Sequence, residues 1–241
     1  MKKFYEKEPI WFAVLWIGIY VLGFSNADSL SDTIGIPKLL TVPVGLVISL
    51  VLWGFLRKNH LFQRFGLCKG HGNGKQFLWY LPLIAITTVN LWNGVRGGVP
   101  FWEGCLHVIS MCFVGFLEEV IFRGLLFQGM RKTGVIPAVI VSSLTFGMGH
   151  IVNLLLGEPV LDTALQLIYA SAVGFCYTAC FLAGGSILPC ILSHVLINST
   201  SIFAPEPTQS GQILTAAVQT VLGVGYGLWL LRVWKRQEKT G

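Results

Sequence analysis

Residues 104–128 read GCLHVISMCFVGFLEEVIFRGLLFQ, an apolar run long enough to cross a bilayer that nevertheless holds Glu118, Glu119 and Arg123. A lipid-embedded helix needs about 20 apolar residues, because only a helix or a closed barrel satisfies its own backbone in hydrocarbon. Barrel strands would alternate apolar and polar side chains, and this run does not alternate. It is read as a membrane-spanning helix. Comparable runs recur at 9–26, 39–57, 77–93, 135–156, 162–182, 185–203 and 212–234. The expected fold class is an all-α polytopic membrane protein, with eight transmembrane helices around a polar intramembrane cavity and residues 1–241 forming a single membrane domain.

Composition agrees. Charged residues make up 12% of the chain and hydrophobic ones 54%, whereas a soluble domain carries about 25% charged residues. Loops are marked by helix breakers at Pro37, Gly70 to Gly74, Pro100, Gly157-Glu158-Pro159, Gly184-Gly185 and Pro205-Glu206-Pro207. The least marked is the turn at Ala183 to Gly185, between the sixth and seventh spans.

The net charge of +6 raises nucleic acid as a partner, but its distribution points to the bilayer. Of the 17 lysines and arginines, all but Lys38, Arg96 and Arg123 fall at the two ends or in the second and fourth loops, and the sixth loop, which holds none, follows by alternation. The positive-inside rule places those segments in the cytoplasm, with both termini. A miscounted span would break this alternation. The short loops suggest a prokaryotic plasma membrane, and no nucleic acid is needed to explain the basic excess.

Met1 to Lys7 resembles the basic end of a signal peptide, but Trp, Phe and Tyr crowd the place where a cleavage site would fall. The first run is therefore read as a span. Cys68, Cys105, Cys112, Cys176, Cys180 and Cys190 form no CxxC pair and no secreted disulfide spacing. Cys176 and Cys180, sharing a helix face, are expected to be small membrane-core residues. The loop from Cys68 to Lys75 lacks the GxxxxGK[ST] spacing and a preceding strand, so it is expected to be a cytoplasmic loop rather than a phosphate cradle. Gly223, Gly225 and Gly227 give the last span a small-residue stripe suited to close helix packing.

Ionisable residues inside a span are costly, at roughly 2.5–3.5 kcal/mol for a central Asp, Lys or Arg on the insertion scale, and tend to mark function. Glu119 and Arg123 stand at i, i+4 with the acid first, the better order for an intrahelical ion pair. Glu118 points about 100° away from Glu119 around the helix and has no such partner. It must meet a group on another helix or face a polar cavity, where a poorly solvated carboxyl suits general acid or base work. Two histidines are candidates: His150 in the fifth span, with Asn153 on the same face, and His194 in the seventh, with Asn198 at i+4. Measured from the cytoplasmic ends, Glu118 lies ~15 Å deep, His194 ~13 Å and His150 ~22 Å, so the three can meet. His60, His71 and His107 are assigned no role.

The three motifs Glu118-Glu119-x-x-x-Arg123, Phe146-x-x-x-His150 and His194-x-x-x-Asn198, in that order on three spans, resemble those of the CAAX-processing and bacteriocin-processing intramembrane endopeptidases. This is the CPBP or Abi family, which includes the type II CAAX prenyl endopeptidases. The resemblance implies an eight-helix fold with a water-filled cavity and cleavage of a peptide bond within or beside the membrane. The substrate would be a membrane-associated peptide or lipidated protein, prenylated or of leader or bacteriocin type. By the same resemblance Glu118 activates the attacking water with help from His150, and His194 and Asn198 stabilise the oxyanion. Glu119 and Arg123 would orient the site, and no cofactor is implied.

Two other readings stand beside this one. In the first, a zinc hydrolase uses His150, His194 and Glu118 as ligands and Glu119 as base, since three protein ligands and a water make a normal catalytic zinc site. Against it, the chain has no HExxH, and Asn198 fits an oxyanion donor better than a metal shell. In the second the protein is no enzyme, but an immunity-type binding partner or a proton-coupled transporter using the same polar residues. The lack of paired broken helices in corresponding halves counts against a transporter. Serine and aspartyl protease chemistry lacks a GxSxG elbow, an intramembrane Ser/His pair and a second separated aspartate.

Overall fold

Each apolar run begins and ends where its local sequence lets a helix begin and end. The computed structural model describes residues 1–70 and 80–240. A short helix α1 (Lys2–Lys7) precedes α2 (Pro9–Ile34), which starts on a proline whose missing N–H is no loss at that position. Then come α3 (Thr41–Lys58), the short α4 (Pro82–Thr87) and α5 (Phe101–Glu119). The last of these continues without a break through a π-helical stretch, Val120–Phe127. Next are α6 (Val135–Met148), α7 (Val152–Leu155), α8 (Val160–Gly184), α9 (Leu188–Ser201) and α10 (Gln209–Thr240). The described residues contain no strand.

Among the described residues, six helices are long and apolar enough to cross a membrane. They correspond to the first, second, fourth, fifth, sixth and eighth expected spans. The other two are shorter. The described residues 80–93 give α4 and a 3-10 turn at Val89–Leu91, part of the expected span 77–93 and of the Cys68 to Lys75 loop lying outside the described residues. Residues 185–203 give the 14-residue α9. The protein is an all-helical integral membrane protein, and its long helices show apolar side chains outward. Leu22, Leu50, Ile168 and Val221 are all exposed, as lipid contact requires where no water competes for apolar surface.

The tight turn expected at Ala183 to Gly185 is real. Gly185 adopts a left-handed conformation, φ 72°, and its N–H returns to the Phe181 carbonyl at 2.8 Å. That conformation is open to glycine and strained for most other residues. The chain then locks onto the second loop, where the Ile187 N–H donates to the Gly66 carbonyl at 2.9 Å. This turn sets α9 antiparallel to α8 and fixes the height of His194.

Helix α8 is the central one. Along one side α10 packs closely against it, because a Cβ on Gly223 would come within 2.7 Å of the Ala172 backbone and one on Gly227 within 2.5 Å of the Phe175 ring. Gly225 faces open space, so two of the three glycines in the stripe make the contact. Cys176, Cys180 and Cys190 are buried and free, as core residues. The most enclosed segment is not α8, however. Every residue from Leu117 to Gly129 is buried, so the charged half of the fourth span runs through the middle of the bundle and not along its lipid face.

Introducing valine at Gly223 should lower the melting temperature of the detergent-solubilised protein, by an overpacking penalty of about 1–3 kcal/mol. Valine at Gly225 should lower it far less, and equal losses in a thermal melt would disprove the close approach of α8 and α10.

Candidate active site

The π-helical stretch follows directly on Glu118 and Glu119. Such wide turns interrupt the regular hydrogen-bond ladder and recur at functional sites. Within it the Phe122 carbonyl accepts from Ser142 Oγ of α6 at 2.9 Å. Within the stretch Arg123 reaches back one turn, and its Nη1 lies 3.0 Å from Glu119 Oε1, both side chains fully buried. Its Nη2 donates to the Gly174 carbonyl of α8 at 3.0 Å, and its guanidinium lies 4.3 Å from the centre of the Phe146 ring. Gly174 is required for this approach, since a Cβ there would sit 2.9 Å from Phe146 and 3.1 Å from Arg123 Nη2.

His194 stands between the two glutamates. Its Nδ1 is 3.0 Å from Glu119 Oε1, and its Nε2 is 3.5 Å from Glu118 Oε2. The bond to Glu119 orients the imidazole and leaves the other nitrogen aimed at Glu118. The His194 ring also meets Phe146 edge-on at 5.7 Å and Tyr177 at 6.1 Å. Tyr177 and Thr87 both hydrogen-bond to Ser193, at 2.8 and 2.6 Å, which ties α9 to α8 and α4 next to the histidine.

Glu118 receives a hydrogen bond from the Tyr20 hydroxyl of α2 at 2.5 Å on Oε1. Its Oε2 is buried and accepts no hydrogen bond from the protein. The carboxylate forms part of the wall of a cavity of about 290 Å³, together with Tyr20, Phe146, His150, Asn153 and Asn198. A smaller space of about 60 Å³ touches His150, His194, Asn198 and Tyr177. His150 sits on a 3-10 turn, Gly149–Ile151, where α6 breaks before α7. Phe146, one turn earlier, packs edge-on against it with ring centres 6.0 Å apart. The Asn198 carbonyl is taken up by His107 Nε2 at 2.9 Å and Ser201 Oγ at 2.7 Å, while the residue also lines both spaces. Asn153 donates to Gln166 Oε1 at 2.8 Å.

The structure thus brings Glu118, Glu119, Arg123 and His194 into one bonded cluster and sets His150 and Asn198 on the wall of the adjoining cavity. Among the described residues no three His, Cys, Asp or Glu side chains are arranged to hold a metal ion. Three participants escape the sequence reading. His107, left without a role, supports Asn198. Gly174 looks like one glycine among many. Tyr20 carried a signal: tyrosine belongs at the membrane interface, yet this one lies ~16 Å along its helix, where its hydroxyl needs a buried partner.

Residues 100–200 match the model of a protein family described as Rce1-like, type II CAAX prenyl endopeptidase Rce1-like. The matched segment encloses every motif residue from Glu118 to Asn198 and agrees with the resemblance those motifs carry. No curated protein and no solved structure matches the chain.

Replacing Arg123 with methionine leaves the Glu119 charge buried without its cation, a loss of about 3–5 kcal/mol by analogy with other broken buried pairs. The double variant Arg123→Met with Glu119→Gln should recover part of that loss in a detergent thermal melt. A double variant no more stable than Arg123→Met alone would show that the two charges do not compensate each other.

Proposed function

We propose, from the endopeptidase family that the central segment matches, that this protein is an intramembrane glutamic endopeptidase acting on a membrane-associated peptide or lipidated protein. The observation that carries the reading is Glu118: one carboxylate oxygen is held by Tyr20, the other accepts no protein hydrogen bond and has His194 Nε2 at 3.5 Å, and the residue lines a cavity. In the same reading the chain is one membrane domain of eight spans, with α4 and α9 in the two shorter crossings. Both termini are cytoplasmic, and the membrane is a prokaryotic plasma membrane.

The proposed chemistry follows from the donors and acceptors at hand. Glu118, as carboxylate, takes a proton from a water molecule whose oxygen attacks the carbonyl carbon of the scissile bond. His150, across the cavity, helps to hold that water. The carbonyl oxygen becomes an oxyanion and is met by the Asn198 amide N–H and by His194. Glu118 then passes its proton to the leaving nitrogen as the C–N bond breaks. Donors aimed at a developing charge away from bulk water supply the largest share of such rate enhancements.

Contacts within the cluster link these roles. Glu119 pairs with Arg123 and holds the Nδ1 side of His194, which leaves the Nε2 side turned toward Glu118. In this reading a ring N–H of His194 meets the reacting oxygen. Glu119 and Arg123 act as positioning residues through His194. No step calls for a metal ion or cofactor. A zinc-dependent mechanism through His150, His194 and Glu118 is the competing route to the same product.

Purified protein in detergent should cleave members of a fluorogenic peptide library, and Glu118→Gln should abolish cleavage without unfolding the protein. Activity should survive a zinc chelator. Chelator-sensitive activity restored by zinc would replace the glutamic mechanism with the metalloprotease, and normal activity in Glu118→Gln would end both.

Asn198→Ala should lower the rate by roughly 10²–10³ if its amide is an oxyanion donor. A rate unchanged from the parent protein would remove that assignment.

A further inference from the structure

We propose that a second cavity, at the basic end of the bundle, is a binding site for a phosphodiester anion, and that its occupant is the headgroup of an anionic phospholipid. None of its described lining residues lines the cavity beside Glu118, and the proposal does not rest on the endopeptidase reading.

The cavity measures about 510 Å³, within the range of roughly 300–1,000 Å³ that small-molecule sites occupy. Four parts of the chain converge on it: the segment after α3 with Arg64, the end of the helix that continues α5 with Arg131 and Lys132, the end of α8, and Trp234 of α10. Three cations stand on its wall, and among the described residues no acid does. Arg64, Arg131 and Lys132 are all exposed. Among the described residues, none of them has a carboxylate within ion-pair distance. A bias of basic residues toward one end of membrane helices is ordinary. That bias puts cations at this end but does not gather them around one hollow.

Gln128 does the gathering. Its side chain is buried, at 8% exposure. Its Nε2 donates to the Arg64 carbonyl at 3.0 Å, and its Oε1 accepts from Arg131 Nη1 at 3.4 Å. One amide therefore braces the segment that carries Arg64 against the helix end that carries Arg131. Aromatic rings steady both guanidiniums, with the Tyr5 ring centre 5.8 Å from Arg64 and that of Phe127 6.0 Å from Arg131. A guanidinium presents five N–H donors in a planar fork. A phosphodiester, with two unbridged oxygens, is the kind of anion that this fork matches.

The rest of the wall decides between a lipid and a small soluble anion. Phe181, Leu182 and Trp234 make it apolar, and tryptophan is enriched at the headgroup level of a bilayer. A free phosphate has nothing to place against these side chains. A phospholipid carries glycerol and its upper acyl carbons directly beside the phosphate, so one molecule meets both kinds of wall. Basic pockets between membrane helices bind anionic headgroups on this principle.

The test titrates lipid into the full-length protein in a neutral detergent, following the melting temperature and counting bound molecules by native mass spectrometry. Dioleoyl phosphatidylglycerol should raise the melting temperature and remain bound, whereas dioleoyl phosphatidylcholine and inorganic phosphate should do neither, whether or not the protein cleaves a peptide. Arg64→Gln and Arg131→Gln should each weaken phosphatidylglycerol binding by about tenfold or more, the loss expected for one charge-assisted contact. Lys58→Gln, which removes an exposed lysine that is not among the lining residues, should leave binding unchanged. Equal binding of phosphatidylcholine by the parent protein overturns the proposal without calling on any variant to fold. Equal losses in Lys58→Gln and the two arginine variants overturn it as well, by reducing the effect to general charge. Stabilisation by inorganic phosphate in place of phosphatidylglycerol overturns the lipid assignment and gives the site to a soluble phosphate.

Discussion

A guanidinium with no solvent exposure sits in the middle of this membrane bundle, and much of the architecture answers to it. Arg123 is met by a carboxylate one turn back on its own helix, by a backbone carbonyl on α8 and by the face of Phe146 on α6, while its buried Nε has no hydrogen-bond partner. Three elements must be in register before the charge is compensated, and breaking one contact leaves a buried charge to be repaid elsewhere. The glycine at 174 and the widened turn at 120–127 are the local adjustments that allow the approach.

The same ion pair reaches into the proposed chemistry. Glu119 accepts from Arg123 and meets His194 on the same oxygen, and the other nitrogen of His194 is turned toward Glu118. A chain of directed contacts therefore runs from a structural charge to the carboxylate proposed as base. Opposite this chain, Tyr20 holds Glu118 from α2. The site is thus built by helices from both halves of the chain, although the motifs lie on α5, α6 and α9.

Much of this was legible in the residues. Apolar run length and the lack of alternation identified membrane helices, and the i, i+4 spacing of Glu119 and Arg123 foretold their ion pair. The absence of any such partner for Glu118 foretold a contact with another helix. What could not be read was the contact between helices. The Glu119 to His194 bond, the Gly174 carbonyl and the Tyr20 hydroxyl depend on helix rotation and height, and periodicity along one helix does not report either. The third and seventh runs show a related limit, since hydropathy marks an apolar stretch without saying how much of it stays helical. Residues 185–203 spend their first positions on a turn held by Gly66, which leaves a shorter helix than the run suggests.

The central claim is that Glu119 acts through His194 and not on the substrate. A double-mutant cycle in peptide cleavage tests it, comparing Glu119→Gln, His194→Ala and the double variant, each checked for folding by its thermal melt. The account predicts strong non-additivity, with the double variant cleaving no more slowly than His194→Ala alone. Losses that simply multiply would mean that the two residues act independently, and would contradict it.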